Sequence, residues 1–248
     1  MTKKSTPPHS VVVGGARGLG RTLAGVLSRD GHRVSVLDCL APLSGESTAP
    51  GTVFRRVDVL DGPAVTEALS AVRTLHGPPR NAIFLQRYRG TGDPWTGELA
   101  TSLTATRRII EELADHFPVG ADNAIVIVGS AADSCVAEEQ PAGYHAVKAA
   151  LRQLVRYYAV LLGPRGVRCN AVAPAVFQKQ GAPRLPGSRA LAAVTPLRRI
   201  PAAEEIARVI LFLCSPAASC VTGQSLVVDA GLSLLAHASL VRHFGCPD

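Results

Sequence analysis

Lysine is scarce in this sequence: only four of its 26 basic residues are lysines, the rest being arginines. With a net charge of +7 and a sequence pI near 9.4, nucleic-acid binding is the first class to weigh. Aromatics, however, make up only 4% of the chain. The arginines are dispersed, and no basic helix or aromatic RNA-binding strand is present, so no nucleic-acid partner is expected. The charge reads as an arginine-rich solvated surface that also attracts an anionic cofactor or substrate. The six cysteines include no CxxC pair, and several lie in apolar stretches, which describes buried reduced thiols. The seven histidines form no HxxxH or HExxH pair, so no metal is expected. No apolar run approaches the roughly 20 residues of a membrane span. The opening "MTKKSTPPHS" lacks an apolar segment after its lysines; residues 1–9 read as a flexible tail, not a signal peptide, and the protein as soluble and cytoplasmic.

What is present is apolar and periodic. Hydrophobic residues are 47% of 248 and the mean hydropathy is +0.20, enough for one substantial core. Strand-like runs fall at 10–14, 32–38, 52–59, 82–85, 124–130, 167–174 and 224–229. Between them lie helix-like stretches at 18–30, 63–76, 97–116, 142–162 and 202–214. This alternation predicts βαβ units: an α/β, Rossmann-type, doubly wound parallel sheet of seven strands in a single domain spanning 10–248. "CLAPLSGESTAPG", between the second and third strands, is rich in Pro, Gly and Ser, so a full crossover helix is not expected there.

The first strand runs into "VGGARGLG", with Gly14, Gly18 and Gly20 between a strand and a helix. Glycines there allow a tight turn and close approach of a pyrophosphate to the positive helix N-terminus. The second strand ends in Asp38, whose carboxylate can hydrogen-bond the adenosine ribose hydroxyls and would repel a 2′-phosphate. NAD is therefore favoured; Arg17, a basic residue in the loop, argues for NADP, which stays the alternative.

In "GYHAVKAAL", Tyr144 and Lys148 stand four apart and share a helix face. The ammonium favours the phenolate form, so the tyrosine can give a proton to a carbonyl oxygen or take it from an alcohol. Ser130, ending the strand "AIVIVGS", can hold the substrate oxygen beside it.

These features, in this order and spacing over nearly the whole chain, resemble the short-chain dehydrogenase/reductase family. So do Asp58 after the third strand, "VRCNAVAP" and "TGQSLVVDAG". The resemblance implies an NAD(P)-dependent oxidoreductase interconverting a secondary alcohol and a ketone. Ser130, Tyr144 and Lys148 would be its catalytic set, with Lys148 and Tyr144 also at the nicotinamide ribose. It further implies a dinucleotide held by Gly14, Arg17, Gly18, Leu19 and Gly20, by Asp38, by Asp58 and Val59 at the adenine, and by Pro174 and Val176 at the carboxamide end. A homodimer or homotetramer pairing the helices at 97–116 and 142–162 is implied as well.

The chain departs from the family where the fourth strand ends. Leu85, Gln86, Arg87 and Tyr88 replace Asn-Asn-Ala-Gly, and Ser102 stands where an asparagine links a water relay to the lysine. Large residues at this point either narrow the cofactor groove or extend into the substrate space. The alternative function is non-redox acid/base chemistry (dehydration, isomerisation or cyclisation), with Arg87 partly filling the groove. The short segment after Asp38 and "GVRCN" are similar to 2,3-dihydro-2,3-dihydroxybenzoate dehydrogenases, which act on a cyclic diol with a carboxylate in specialised metabolism. Arg87 or Arg89 could bind such an anion bidentately. The competing reading makes them solvated, or ion-paired with Asp93 or Glu98.

Overall fold

The computed structural model describes residues 6–42, 50–179, 181 and 183–235. Seven parallel strands form one sheet: β1 (His9–Val13), β2 (Arg33–Asp38), β3 (Thr52–Arg56), β4 (Asn81–Phe84), β5 (Asn123–Val128), β6 (Val167–Pro174) and β7 (Ser225–Val228). Their order, β3-β2-β1-β4-β5-β6-β7, reverses direction between β1 and β4. Ligands of open α/β sheets bind at such a switch point.

Helices cover both faces, which is why the central strands are continuously apolar. Val11 and Val13 of β1 pack in the cluster with α2 (Gly62–His76), α4 (Ala105–Ala114) and α5 (Ala142–Leu162). Val12 points the other way, into the cluster with α1 (Gly18–Arg29) and α7 (Ala203–Cys214). Asp61 caps α2, its carboxylate accepting the Ala64 amide at 3.1 Å, with Pro63 in the first turn.

Three local expectations are corrected. His9, assigned to the tail from the sequence, is buried and opens β1. The helix expected over 97–116 is broken into α3 (Pro94–Glu98), a π-helical segment at Leu99–Thr104, and α4. There the Ala105 amide reaches back five residues to the Ala100 carbonyl, and the Thr106 hydroxyl donates to the Ser102 carbonyl at 2.7 Å. Between the strand at 167–174 and the helix at 202–214, where the sequence reading placed no helix, the structure has one, α6 (Ser188–Val194). The β2–β3 connection shows no helix among its described residues; most of it, 43–49, lies outside them.

At the amino-terminal edge of the sheet, three histidines are tied into hydroxyl chains. His9 donates from Nδ1 to the Gly77 carbonyl at 2.8 Å, which leaves Nε2 to accept from Ser35 Oγ at 2.9 Å. His76 Nδ1 meets the same Ser35 hydroxyl at 3.2 Å. Alongside, the Asn81 amide donates to Ser10 Oγ, which lies 2.7 Å from His32 Nδ1. Burial disfavours the charged form of all three, and His9 is pulled down to about 4.

A histidine held neutral when folded binds its proton more readily in the unfolded chain. The stability it provides is therefore full above the unfolded value near 6.5 and is lost as pH falls towards 4. From His9 alone the loss is about 3 kcal/mol. Urea unfolding should show a clearly lower midpoint at about pH 5 than at about pH 7; equal midpoints would contradict this account of the cluster.

Candidate active site

Parallel pairing brings the ends of β1, β2, β4, β5 and β6 to one edge of the sheet, and the sequence candidates collect there. After β1 the chain turns at Gly14, which adopts φ +81°. A Cβ at Gly14 would lie 2.5 Å from the Gln86 amide nitrogen, so only glycine lets the loop touch the end of β4. A Cβ at Gly20 would come within 2.3 Å of the Gly14 carbonyl, whereas Gly18 faces open space. Leu19 is buried under the loop and Arg17 is exposed, its side chain 3.4 Å from the Ala41 carbonyl. The loop is stitched to β2 by Asp38, whose carboxylate accepts the amides of Ala16 at 2.9 Å and Leu40 at 3.0 Å. Asp38 also takes the Val57 amide on its carbonyl, placing Asp58 and Val59 next to it. Asp58 is exposed and caps the Leu60 amide, while the buried Val59 offers its carbonyl to Arg108. Pro174 ends β6, with Val176 exposed just beyond.

This shape suits a dinucleotide. A glycine turn without room for a side chain at Gly14 or Gly20 abuts the N-terminal amides of α1, and a carboxylate stands at the neighbouring strand end.

Ser130 follows β5 in extended conformation, and its hydroxyl accepts the Ala132 amide at 3.2 Å. The turn it opens packs on α5. From α5, Lys148 is buried and donates to the Val128 carbonyl at 2.9 Å. Its ammonium lies 5.5 Å from the centroid of the Tyr144 ring. Burial pulls Lys148 down to about 8; the Glu98 carboxylate opposes that pull and the Arg87 charge adds to it. Gly143, just before Tyr144, sets how closely α3 approaches, since a Cβ there would meet Trp95 Cα at 2.8 Å and the Pro94 carbonyl at 3.0 Å.

The segment 85–89 is now resolved into separate tasks. Gln86 donates to Thr106 Oγ1 at 2.7 Å. Tyr88 lies flat against Gly90 and Gly97, where any Cβ would strike its ring. Arg87 hydrogen-bonds Gln140 Oε1 at 3.0 Å, pairs with Glu98 at 3.6 Å, and sits 4.5 Å above the centroid of the Tyr144 ring. Of the two readings for Arg87, anion clamp or ion pair, the geometry has the ion pair, with Glu98 as partner. Asp93 instead caps α3. The guanidinium is held on the α5 side and not by the glycine loop. Arg89 has no hydrogen-bond or ion-pair partner among the described residues, and its charge is felt by Arg87, Glu98 and Tyr144.

Ser102, expected to hold a water, donates its hydroxyl to Glu98 Oε2 at 2.6 Å. Glu98 itself was not recognised as part of the site. It is a carboxylate only 1% exposed; the sequence offered it as an ion-pair partner for Arg87 or Arg89, and its i, i+4 spacing to Ser102 was a further signal. Among the described residues no cluster of His, Cys, Asp or Glu could hold a metal ion. No helix there is long and apolar enough to cross a membrane.

Residues 14–233 match a family model described as enoyl-(acyl carrier protein) reductase. The chain belongs to the short-chain dehydrogenase/reductase family. Members of this family are NAD(P)-dependent oxidoreductases, and the chain is such an enzyme. The protein FixR of Bradyrhizobium diazoefficiens is 31% identical over 93% of this chain and 88% of its own length. The cis-4-hydroxycyclohexanecarboxylate dehydrogenase of Sinomonas cyclohexanicum is 29% identical over 90% of this chain and 95% of its own. Ligand-free aldohexose dehydrogenase of Thermoplasma acidophilum shares the short-chain dehydrogenase/reductase fold with a TM-score of 0.82, at 22% identity over 93% of this chain and 96% of that one.

Gly14→Ala should cost at least about 2 kcal/mol, because a side chain is forced into a left-handed backbone conformation against a strand. It should also abolish NADH binding read by fluorescence titration. Native stability and affinity in this variant would overturn the tight-turn account.

Proposed function

We propose that this enzyme interconverts a secondary alcohol and a ketone on a cyclic, carboxylate-bearing substrate, using NAD. The observation that carries the reading is the placement of Tyr144 and Lys148 on one helix face, with the Lys148 ammonium 5.5 Å from the Tyr144 ring centroid. When bound, the dinucleotide supplies or accepts the hydride. Tyr144 gives its phenolic proton to the carbonyl oxygen in reduction and takes it back in oxidation. Lys148 holds a positive charge at the Tyr144 ring and reaches the nicotinamide ribose, while Ser130 orients the substrate oxygen through its free hydroxyl proton. Ser102, held by Glu98, steadies the helix opposite. Gly14, Gly18, Leu19 and Gly20 cradle the pyrophosphate, with Arg17 at its rim. Asp38 takes the adenosine ribose, Asp58 and Val59 the adenine, and Pro174 and Val176 the carboxamide.

The carboxylate falls to Arg89, because Arg87 is already paired; a relative named for a hydroxycyclohexanecarboxylate supports this substrate class. The reading favours redox chemistry over a cofactor-free reaction because Arg87 is held by Gln140 and Glu98 and not by the glycine loop. NAD is preferred because a carboxylate at the end of β2 would hydrogen-bond the adenosine ribose hydroxyls and repel a 2′-phosphate. Exposed Tyr157, Val160 and Leu161 on α5 support pairing into a homodimer or homotetramer, and the setting proposed is cytoplasmic specialised metabolism.

Tyr144→Phe should lower turnover of a cyclic keto acid by about 10³-fold, while NADH affinity in a fluorescence titration stays unchanged. Arg89→Met should raise KM for the keto acid about tenfold and leave the uncharged ketone analogue unaffected. Retained turnover in the first variant, or an equal effect on both substrates in the second, would sink the assignment. In the same titration NADH should bind tighter than NADPH, and Asp38→Asn should narrow the gap; a wild-type preference for NADPH contradicts the role given to Asp38.

A further inference from the structure

We propose that Glu98 is a positioning residue for the Tyr144–Lys148 pair. Its buried carboxylate anchors Arg87 on the face of the Tyr144 ring and balances the two cations that flank that ring. The proposal rests on Tyr144 and Lys148 being the reacting pair.

A carboxylate with 1% exposure is costly unless charged and hydrogen-bonding partners surround it. Glu98 has two: the Ser102 hydroxyl at 2.6 Å and the Arg87 guanidinium at 3.6 Å. The π-helical segment between α3 and α4 turns Ser102 onto Glu98, and the glycine contact at Gly143 brings α3 against α5. Arg87, thus anchored from α3 and held by Gln140, lies 4.5 Å from the Tyr144 ring centroid. Lys148 lies 5.5 Å from the same centroid. The charged and titratable groups gathered there are Arg87 and Arg89 after β4, Glu98 on α3, and Tyr144, His145 and Lys148 on α5, the His145 ring standing edge-on with its centroid 6.0 Å from that of Tyr144. Glu98 is the one carboxylate among these groups, set against the two cations that flank the Tyr144 ring. Glu98 and Arg87 therefore act on Lys148 with opposite signs, whereas a pair that only tied β4 to α3 would act through shape alone.

The sequence has only Lys3, Lys4, Lys148 and Lys179, so the full chain labelled with ¹³Cε-lysine gives a sparse NMR spectrum in which Lys148 is assigned by its loss in Lys148→Arg. Its titration midpoint should lie near 8 in the native chain. Glu98→Gln, which can still accept from Ser102, should weaken proton binding at Lys148 about tenfold and move the midpoint down. Arg87→Met should move it up, Arg87→Lys should leave it near the native value, and the double variant should return towards native. Should Glu98→Gln fail to fold by circular dichroism, the contrast between Arg87→Met and Arg87→Lys decides. Midpoints that stay put, or that move the same way in both charge-removing variants, overturn the proposal. The titration needs no turnover, so its failure is distinct from a failure of Tyr144→Phe to impair hydride transfer.

Discussion

Parallel pairing forces the carboxyl ends of all the strands to one edge of the sheet, and the site depends on that constraint. It sets the glycine turn of β1 against the end of β4, Asp38 beside the turn, and Ser130 next to the helix that carries Tyr144 and Lys148. Because the order reverses between β1 and β4, connecting helices leave to opposite faces there and a crevice opens between them. Glycine at position 14 is the point of closest approach: β4 touches the loop backbone without an intervening side chain.

The residues that follow β4 are large, and the structure shows how they are held. Large residues at this point do not remain loose. Gln86 is tied to α4, Tyr88 lies on two glycines, and Arg87 is drawn across to a buried carboxylate. The partners are Thr106 for Gln86, Gly90 and Gly97 for Tyr88, and for Arg87 the buried Glu98, which also accepts the Ser102 hydroxyl. A positive side chain introduced next to a lysine-bearing site needs a buried negative charge, and Glu98 provides it.

The sheet was legible because it follows from local signals, apolar runs bounded by turns, and the shared helix face of Tyr144 and Lys148 follows from their i, i+4 spacing. The glycine turn and the Asp38 carboxylate beside it followed from signals of the same kind, because both lie at strand ends. Glu98 was not legible as a site residue. Whether a glutamate near a helix start is buried depends on how closely α3 meets α5, and that contact is set by Gly143, 45 residues downstream. His9 was misplaced for a related reason: a histidine before an apolar run looks like tail until Gly77 and Ser35 supply its hydrogen bonds and the His76 ring packs edge-on against it. The helix α6 carries few apolar anchors, and only Val194 of it is buried, so no periodicity announced it.

The claim at the centre of this account is that hydride transfer and proton transfer meet at the Tyr144 edge of the crevice. Incubating the enzyme with a cyclic keto acid and NADH dideuterated at the nicotinamide C4 position tests it most directly, by mass spectrometry and NMR of the product. The account predicts one deuterium on the new carbinol carbon, with NADH consumed in equal amount. Product that carries no deuterium, or that forms equally well without the dinucleotide, would contradict it.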